Sequence, residues 1–332
     1  MSRITRIGVL GCANIAERFI LPAIQQSDLF ELAGVASRSK SKADFFSNTF
    51  NTRAFYSYDS LLEEDLDAIY IPLPNSMHYE WIKKALNKKL HVLVEKSMAC
   101  NLDQVKELNQ LAENKKLALL ENFQFRFHNQ LKFIQNHVKE GLLGELKLLR
   151  SSFGFPPFED KDNIRYQKAL GGGALLDAGA YTLKASQIFL GKEIYVDSAN
   201  LIKPHNEEVD ISGSAFIKQK NGNLTAQIAF GFDHFYQNTL EIWGSKGKLT
   251  ANRIFTAGPG VQAKVILENR DGIEAIDLPV DNHFLNMLQH FSELINTDKA
   301  KEDEYRQNIN QARLIQELSK KSEVSKVYIV NY

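Results

Sequence analysis

The sequence predicts an α/β protein: a doubly wound parallel sheet at the N-terminus, followed by an α+β domain built on an antiparallel sheet. Three observations carry this. The first third alternates short apolar runs with helical stretches; its first run opens into a glycine-containing turn; and beyond residue 122 strand-like segments are joined by turn signals. Continuous rather than alternating apolar strands, each followed by a helix, indicate a parallel sheet covered on both faces.

Taken in order, "RIGVL" precedes the helical "NIAERFILPAIQQ", "FELAGVAS" precedes "SKSKADFFSNTF", and "LDAIYIPLP" precedes "SMHYEWIKKALNKK". "HVLVEK", "NLDQVKELNQLAENKK" and "LALLENFQF" extend the pattern, so the first domain is expected to span 1–122 and the second 123–332. In the second, 145–153, 194–202, 210–220, 223–232, 238–243 and 247–255 are strand-like, with turn signals at Asn221-Gly222-Asn223 and Ser245-Lys246-Gly247. Helical segments are expected at 127–140 and 173–190, and amphipathic helices over 281–320.

The chain has 332 residues, with 40 basic and 40 acidic side chains. This balance gives no global field to gather nucleic acid or anionic membrane, so neither is expected as a partner. Cys12 and Cys100 lack disulfide-framework or zinc spacing. No apolar run reaches the ~18 residues of a membrane span, and no signal-peptide core precedes the first strand. A cytoplasmic protein is expected.

In a Rossmann turn the first glycine permits the bend, the second lets backbone approach a pyrophosphate, and the third lets the helix pack on the strand. Gly11 fills the first role, Ala13 replaces the second glycine, and Ala16 is an accepted substitute at the third. The helix N-terminus still offers N–H groups and a positive dipole end, and Asn14 adds a donor. The same string also suits an ordinary strand-to-helix connection. About 20 residues on, an NAD site ends its second strand with an acid. Here Ser37 and Arg38 stand instead, followed by Lys40 and Lys42. A hydroxyl beside a guanidinium suits a 2′-phosphate, so NADP is preferred; the competing reading is a solvated helix start.

At "GVLGCANIA", "VEK" and "RYQKALGGGALLDAGAY" the sequence resembles the glucose-fructose oxidoreductase / inositol dehydrogenase family over residues 5 to 320. "AIYIPLPNSMHYEW" and "ENFQFRFHNQ" are similar to its branch of C-3 ketoreductases acting on nucleotide-linked deoxysugars; dihydrodiol dehydrogenases share some of these strings. The resemblance implies an NAD(P)-dependent oxidoreductase whose C-terminal domain has an open-faced antiparallel sheet and commonly forms homodimers or homotetramers. It puts Lys96, Asp177 and Tyr181 in catalytic positions. Gly11, Cys12, Ala13, Asn14 and Ile15 would line the pyrophosphate, and Ser37 and Arg38 would meet the adenosine ribose phosphate. Pro72, Leu73, Asn75 and His78 would lie along the cofactor, with Glu95, Lys96, Asn122, Arg165 and Tyr166 toward the nicotinamide. Ser97 departs from the motif's proline, releasing a φ restraint and restoring an N–H behind Lys96.

Hydride transfer to a ketone needs a proton donor at its oxygen. Asp177 and Tyr181, four residues apart, project from one face of a helix. The three glycines at 171–173 allow close backbone approach and a flexible entry to it. Tyr181 is expected as the acid because neutral phenol is its abundant form near pH 7, with Lys96 lowering its pKa or bonding the same oxygen. Asp177 is expected to orient the sugar hydroxyl or the lysine. Read without the family, such a tyrosine is a core residue with its hydroxyl at the rim. His78, His128 and His234 form no HxxxH pair, so no metal is expected. "NHFLNMLQHFSELI", Trp81 and the phenylalanines of 123–133 are read as packing.

The expected reaction is NADPH-dependent reduction of a keto group, at C-3, on a nucleotide-activated deoxysugar. Two alternatives remain: an NADP-dependent dehydrogenase of a free sugar, polyol or dihydrodiol, and a non-catalytic NADP-responsive binding protein.

Overall fold

The computed structural model describes residues 3–160 and 162–327. Positions 1, 2, 161 and 328–332, over which the two expected domains also extend, lie outside the described residues. The chain divides into two compact units: one holds the residues up to Asn122 together with Phe284–Ile309, the other Phe123–His283 together with the residues from Asn310 on.

The first unit is built on β1 (Thr5–Leu10), β2 (Phe30–Ala36), β3 (Ala54–Phe55), β4 (Ala68–Ile71), β5 (His91–Glu95) and β6 (Leu119–Asn122). All are paired in parallel in the order β3-β2-β1-β4-β5-β6. The continuous apolar runs have the burial they imply, since Ile69, Tyr70, Val92 and Val94 are fully buried. Helix starts follow local capping chemistry: Ser39 accepts from Lys42 N ahead of Lys40–Phe50, and Asn101 accepts from Gln104 N ahead of Leu102–Asn114. Strand order reverses between β1 and β4, creating the switch point at which such sheets bind ligands. The last strand ends earlier than the run 117–125 suggests, because the 3₁₀ turn Gln124–Phe127 follows it.

Phe284–Ile309, grouped with the second domain on sequence, packs on the first unit. Phe291 stacks on Phe30 with centroids 6.1 Å apart, and Phe284 on Phe19 at 4.9 Å. Asn308 Nδ2 donates to Leu119 O at 3.1 Å, and the Tyr305 hydroxyl donates to Leu117 O. An amphipathic period specifies that one face is buried, not which surface buries it.

The second unit carries β7 (Leu146–Gly154), β8 (Ile194–Pro204), β9 (Ser212–Gln219), β10 (Thr225–Gly231), β11 (Gln237–Gly244), β12 (Gly247–Asn252), β13 (Lys264–Asn269), β14 (Gly272–Asp277) and β15 (Ser322–Val327). They form one sheet in the order β14-β13-β12-β11-β7-β10-β9-β8-β15. It is mostly antiparallel, but β10 runs parallel to β7 and β15 parallel to β8. The six expected strands are present; β13, β14 and β15 are additional. On β11, Asn238, Leu240 and Ile242 are buried while Trp243 on the opposite face is 49% exposed, the alternation of a sheet covered on one side. The covering helix, Ala180–Leu190, is preceded by a π-helical turn, Leu175–Gly179. A Cβ at Gly179 would lie 3.0 Å from the Phe230 ring, so glycine sets the approach of this segment to β10.

His91 is half-buried, and its Nδ1 accepts from Ala118 N at 2.9 Å. Burial, aided by Lys301 and opposed by Asp67, pushes its pKa down to about 4. The unfolded chain takes up this proton near its ordinary pKa of about 6.5, so the stability His91 contributes is present above that value and lost as pH falls toward 4. Urea-unfolding midpoints are expected to decline across this window, and less steeply in His91→Asn, whose Oδ1 keeps an acceptor without titrating. Equal slopes in the two proteins would exclude His91 as a contributor.

Candidate active site

Gly11 leaves β1 with its N–H donating to Ala36 O at 2.9 Å and a φ of 122°. A Cβ here would lie 2.9 Å from Leu73 Cδ2 and 3.3 Å from Pro72 O, so the turn after β1 and the loop after β4 meet where only a hydrogen fits. Ala13 and Ile15 are partly exposed, Asn14 is exposed, and Ala16 is fully buried, as the packing role of the third position requires. The helix opens as a π turn, Ala16–Ile20, before Leu21–Gln26. Burial pushes the Cys12 thiol up to about 11 against the pull of the Ser37 hydroxyl and Lys42, so it is neutral at pH 7.

Ser37 is buried at the end of β2, its Oγ accepting from Ser39 N at 3.1 Å. Arg38 is exposed, and among the described residues its guanidinium makes no hydrogen bond or ion pair. A shielded hydroxyl beside an available guanidinium, with no carboxylate at the strand end, fits a phosphorylated ribose.

Asn75 begins the helix Asn75–Asn87 after Pro74. On its next turn His78 is fully buried, Nε2 2.7 Å from Leu73 O and Nδ1 2.8 Å from Ser97 O. Burial pushes this imidazole down to about 4; the neutral ring donates to one of the two carbonyls. His78 thus ties the loop after β4 to the one after β5. Ser97, expected to loosen Lys96, is itself buried, and the Lys96–Ser97 peptide is cis. Met98 N donates to Glu121 Oε1 at 2.8 Å, a second anchor for this loop.

Glu95, paired with Asn122 in the β5–β6 register, accepts from Tyr70 OH at 2.8 Å and Asn122 Nδ2 at 2.7 Å, both at Oε1. Burial raises its pKa, while those donors and Lys96 pull it back. Asn122 Oδ1 is buried without a partner, an acceptor left for a donor from a bound molecule. The carboxyl ends of β1, β4, β5 and β6 therefore gather Gly11, Pro72, Leu73, His78, Glu95, Lys96 and Asn122, the residues the sequence assigned to a dinucleotide.

In the second unit, Arg165 Nε donates to Asp177 Oδ2 at 2.6 Å. Asp177 raises the guanidinium's pKa, with the Tyr181 and Tyr166 phenols adding to it against burial. Arg165 and Asp177, both expected in the site, are thus brought together as an ion pair. Tyr166 OH accepts from Phe158 N at 3.1 Å. The entry to the helix is tied rather than flexible: Gly172 N donates to Gln167 O at 3.0 Å and Gly173 N to Arg165 O at 2.9 Å. A Cβ at Gly172 would lie 2.4 Å from Arg165 O.

Tyr181 is 7% exposed, its ring enclosed by Phe123, Phe125, Phe153 and Phe255 at centroid distances of 5.3–5.9 Å. Its hydroxyl is 3.2 Å from both Nε2 and Oε1 of Gln124. Sequence reasoning missed Gln124, flanked by two packing phenylalanines, and Asp210, whose Oδ2 accepts from Leu175 N at 2.7 Å. Tyr70 also went unnoticed inside its apolar run. Among the described residues no three His, Cys, Asp or Glu side chains are grouped to hold a metal, and no helix is long and apolar enough to cross a membrane.

A dinucleotide-binding parallel sheet, a covered mixed sheet and a helix presenting Asp177 and Tyr181 define an oxidoreductase of the two-unit NAD(P) class. Residues 5–123 match the model described as "Oxidoreductase family, NAD-binding Rossmann fold", and residues 131–250 match the GFO/IDH/MocA C-terminal domain. The chain belongs to the GFO/IDH/MocA oxidoreductase family. It is 36% identical over 311 residues, covering 93% of each chain, to the dTDP-3,4-didehydro-2,6-dideoxy-alpha-D-glucose 3-reductase of Actinomadura kijaniata. It is 38% identical to that of Saccharopolyspora spinosa over 91% of each chain. Its structure is similar to that of the 3-ketoreductase from Actinomadura kijaniata in complex with NADP and TDP-benzene, with a TM-score of 0.93 and 34% identity over 99% of this chain and 100% of that one.

Gly11→Ala would force a side chain into a rarely adopted φ and against Leu73. It is expected to cost roughly 1–3 kcal/mol of stability and to weaken dinucleotide binding at least about tenfold, read by thermal unfolding and by titration calorimetry. Unchanged affinity would separate this turn from the cofactor.

Proposed function

We propose that this protein is an NADPH-dependent reductase of the C-3 keto group of a dTDP-linked 2,6-dideoxysugar, with Tyr181 as proton donor and Lys96 assisting. The reading rests above all on the end-to-end match to dTDP-sugar 3-reductases. The tyrosine at position 181, buried among aromatic rings with its hydroxyl hydrogen-bonded, supports its chemical half.

Bound NADPH supplies a hydride to the ketone carbon, and the carbonyl oxygen must gain a proton as that bond forms. Tyr181 delivers it: the O–H bond breaks, the new alcohol O–H forms, and a phenolate remains to be reprotonated from solvent. Lys96 offsets the negative charge developing on oxygen. Asp177, paired with Arg165 at 2.6 Å, holds that guanidinium near the phenol and serves to orient rather than to transfer the proton. Arg38 and Ser37 would hold the 2′-phosphate, and the peptide groups of Gly11 to Ile15 would receive the pyrophosphate. We assign this enzyme to the cytoplasm and, by the open face of its large sheet, to a homodimer or homotetramer.

The test follows NADPH absorbance with the dTDP-linked 3,4-diketo sugar. Turnover is expected with this substrate, and Tyr181→Phe should lower kcat by roughly 10²- to 10⁴-fold with little change in NADPH affinity. Oxidation of free xylose with NADP+ and no reduction of the diketo sugar would replace this reading with a dehydrogenase; tight NADP binding without any turnover would make it a binding protein. Arg38→Ala should weaken NADPH roughly 10- to 100-fold, the worth of about 1.5–3 kcal/mol for hydrogen bonds to a charged group, and leave NADH nearly unaffected. Equal losses for both cofactors would overturn the phosphate assignment.

A further inference from the structure

We propose that Gln124 is a positioning residue for proton transfer: its side-chain amide aims the Tyr181 hydroxyl and donates to the phenolate that forms once the proton has left. The inference rests on Tyr181 as proton donor. It concerns a residue that neither the motif pattern nor the spacing of Asp177 and Tyr181 singles out.

The problem Gln124 solves is set by the surroundings of Tyr181. Phe123 and Phe153 meet its ring edge-on at 5.5 and 5.3 Å, and Phe125 and Phe255 lie at 5.9 and 5.5 Å. Phenyl rings hold a phenol in place but cannot hydrogen-bond its oxygen. An anion formed in such a cage loses hydration, which disfavours proton release. The Arg165 guanidinium, which feels the phenol's charge, offsets part of this, and a donor facing the oxygen offsets more. Gln124 brings one at 3.2 Å through Nε2, with Oε1 at the same distance on the other limb of the amide.

The amide therefore serves both protonation states. While the phenol is neutral, Oε1 accepts its proton. When the proton passes to the substrate oxygen, Nε2 remains within reach to donate to the anion. The backbone carbonyl of Phe255, an acceptor without a proton, lies 3.5 Å from Nε2 and fixes which limb is nitrogen. Local structure explains how a polar residue reaches this place. Gln124 starts the 3₁₀ turn Gln124–Phe127 immediately after β6, and its neighbours Phe123 and Phe125 are buried in the cage while its own side chain spans to the hydroxyl.

Two substitutions separate donation from mere space-filling. Gln124→Met keeps the volume and loses both donor and acceptor, and Gln124→Glu is nearly isosteric but puts a carboxylate where the donor was, adding like-charge repulsion to its loss. Ligand-free protein labelled with ¹³Cζ-tyrosine, the Tyr181 resonance being assigned by its loss in Tyr181→Phe, gives the phenol titration directly. Both variants should raise its midpoint by roughly one pH unit or more. In turnover, both should lower kcat about tenfold or more, with KM little changed and the pH dependence of kcat displaced in the same direction. A Glu variant with the wild-type midpoint and kcat overturns the proposal, as does a loss in Met alone that Glu restores. Because the titration needs no substrate, raised midpoints without turnover of the diketo sugar would uphold the role of Gln124 and fell the substrate reading instead.

Discussion

A carboxylate at the head of a helix organises the second unit's site residues. Asp210 accepts from Leu175 N through Oδ2 at 2.7 Å and from Ala174 N through its own carbonyl at 2.8 Å. Both donors are otherwise orphan groups of the helix start. Burial raises the pKa of this carboxyl, and the peptide N–H groups pull it back toward the ionised form, which the positive end of the helix favours. Gly173 is glycine because a Cβ there would come within 2.6 Å of Asp210 Oδ1. With its start fixed in this way, the segment can carry Asp177 on its π turn and Tyr181 one turn later, each at a set depth. The glycine run thus acts as a close-packed seat for the helix rather than as a swivel.

In the first unit, β1 and β4 lie side by side, so the loops that follow them converge, and His78 links the second of these to the loop behind Lys96. The residues concerned are distant in the chain but all sit at carboxyl ends of strands, where an open parallel sheet presents its crevice. This also bears on Ser97. Without proline's ring, the position behind Lys96 is held by burial and by the His78 and Glu121 contacts around it.

Much of the first unit was legible in the sequence because parallel strands must be apolar on both faces, which leaves unbroken runs such as "AIYI" and "HVLVE". Gly11 was legible for a related reason, since a positive φ at the close approach of two loops demands glycine. Tertiary choices were not. "FQF" reads as packing, and only the position of Tyr181 shows that the middle residue is turned toward a hydroxyl. Asp210 belongs to no local pattern, its carboxylate's partner Leu175 lying 35 residues away. β14 escaped notice because five of its six residues are exposed and carry no inward face. Spacing put Asp177 and Tyr181 on one helical face but could not foresee that Arg165 would take up the carboxylate.

The return of Phe284–Ile309 to the first unit bears on how the protein is made. Phe30 and Phe19 are synthesised early, yet the rings that stack on them and the Tyr305 and Asn308 side chains that meet Leu117 and Leu119 come from the last sixth of the chain. The nucleotide-binding sheet therefore emerges from the ribosome with one surface uncovered and stays so while the whole large sheet except its last strand is translated. Completion of this unit is thereby deferred until after β7 to β14 of the other have been made, and a fragment ending at Asn122 would carry that bare apolar surface permanently.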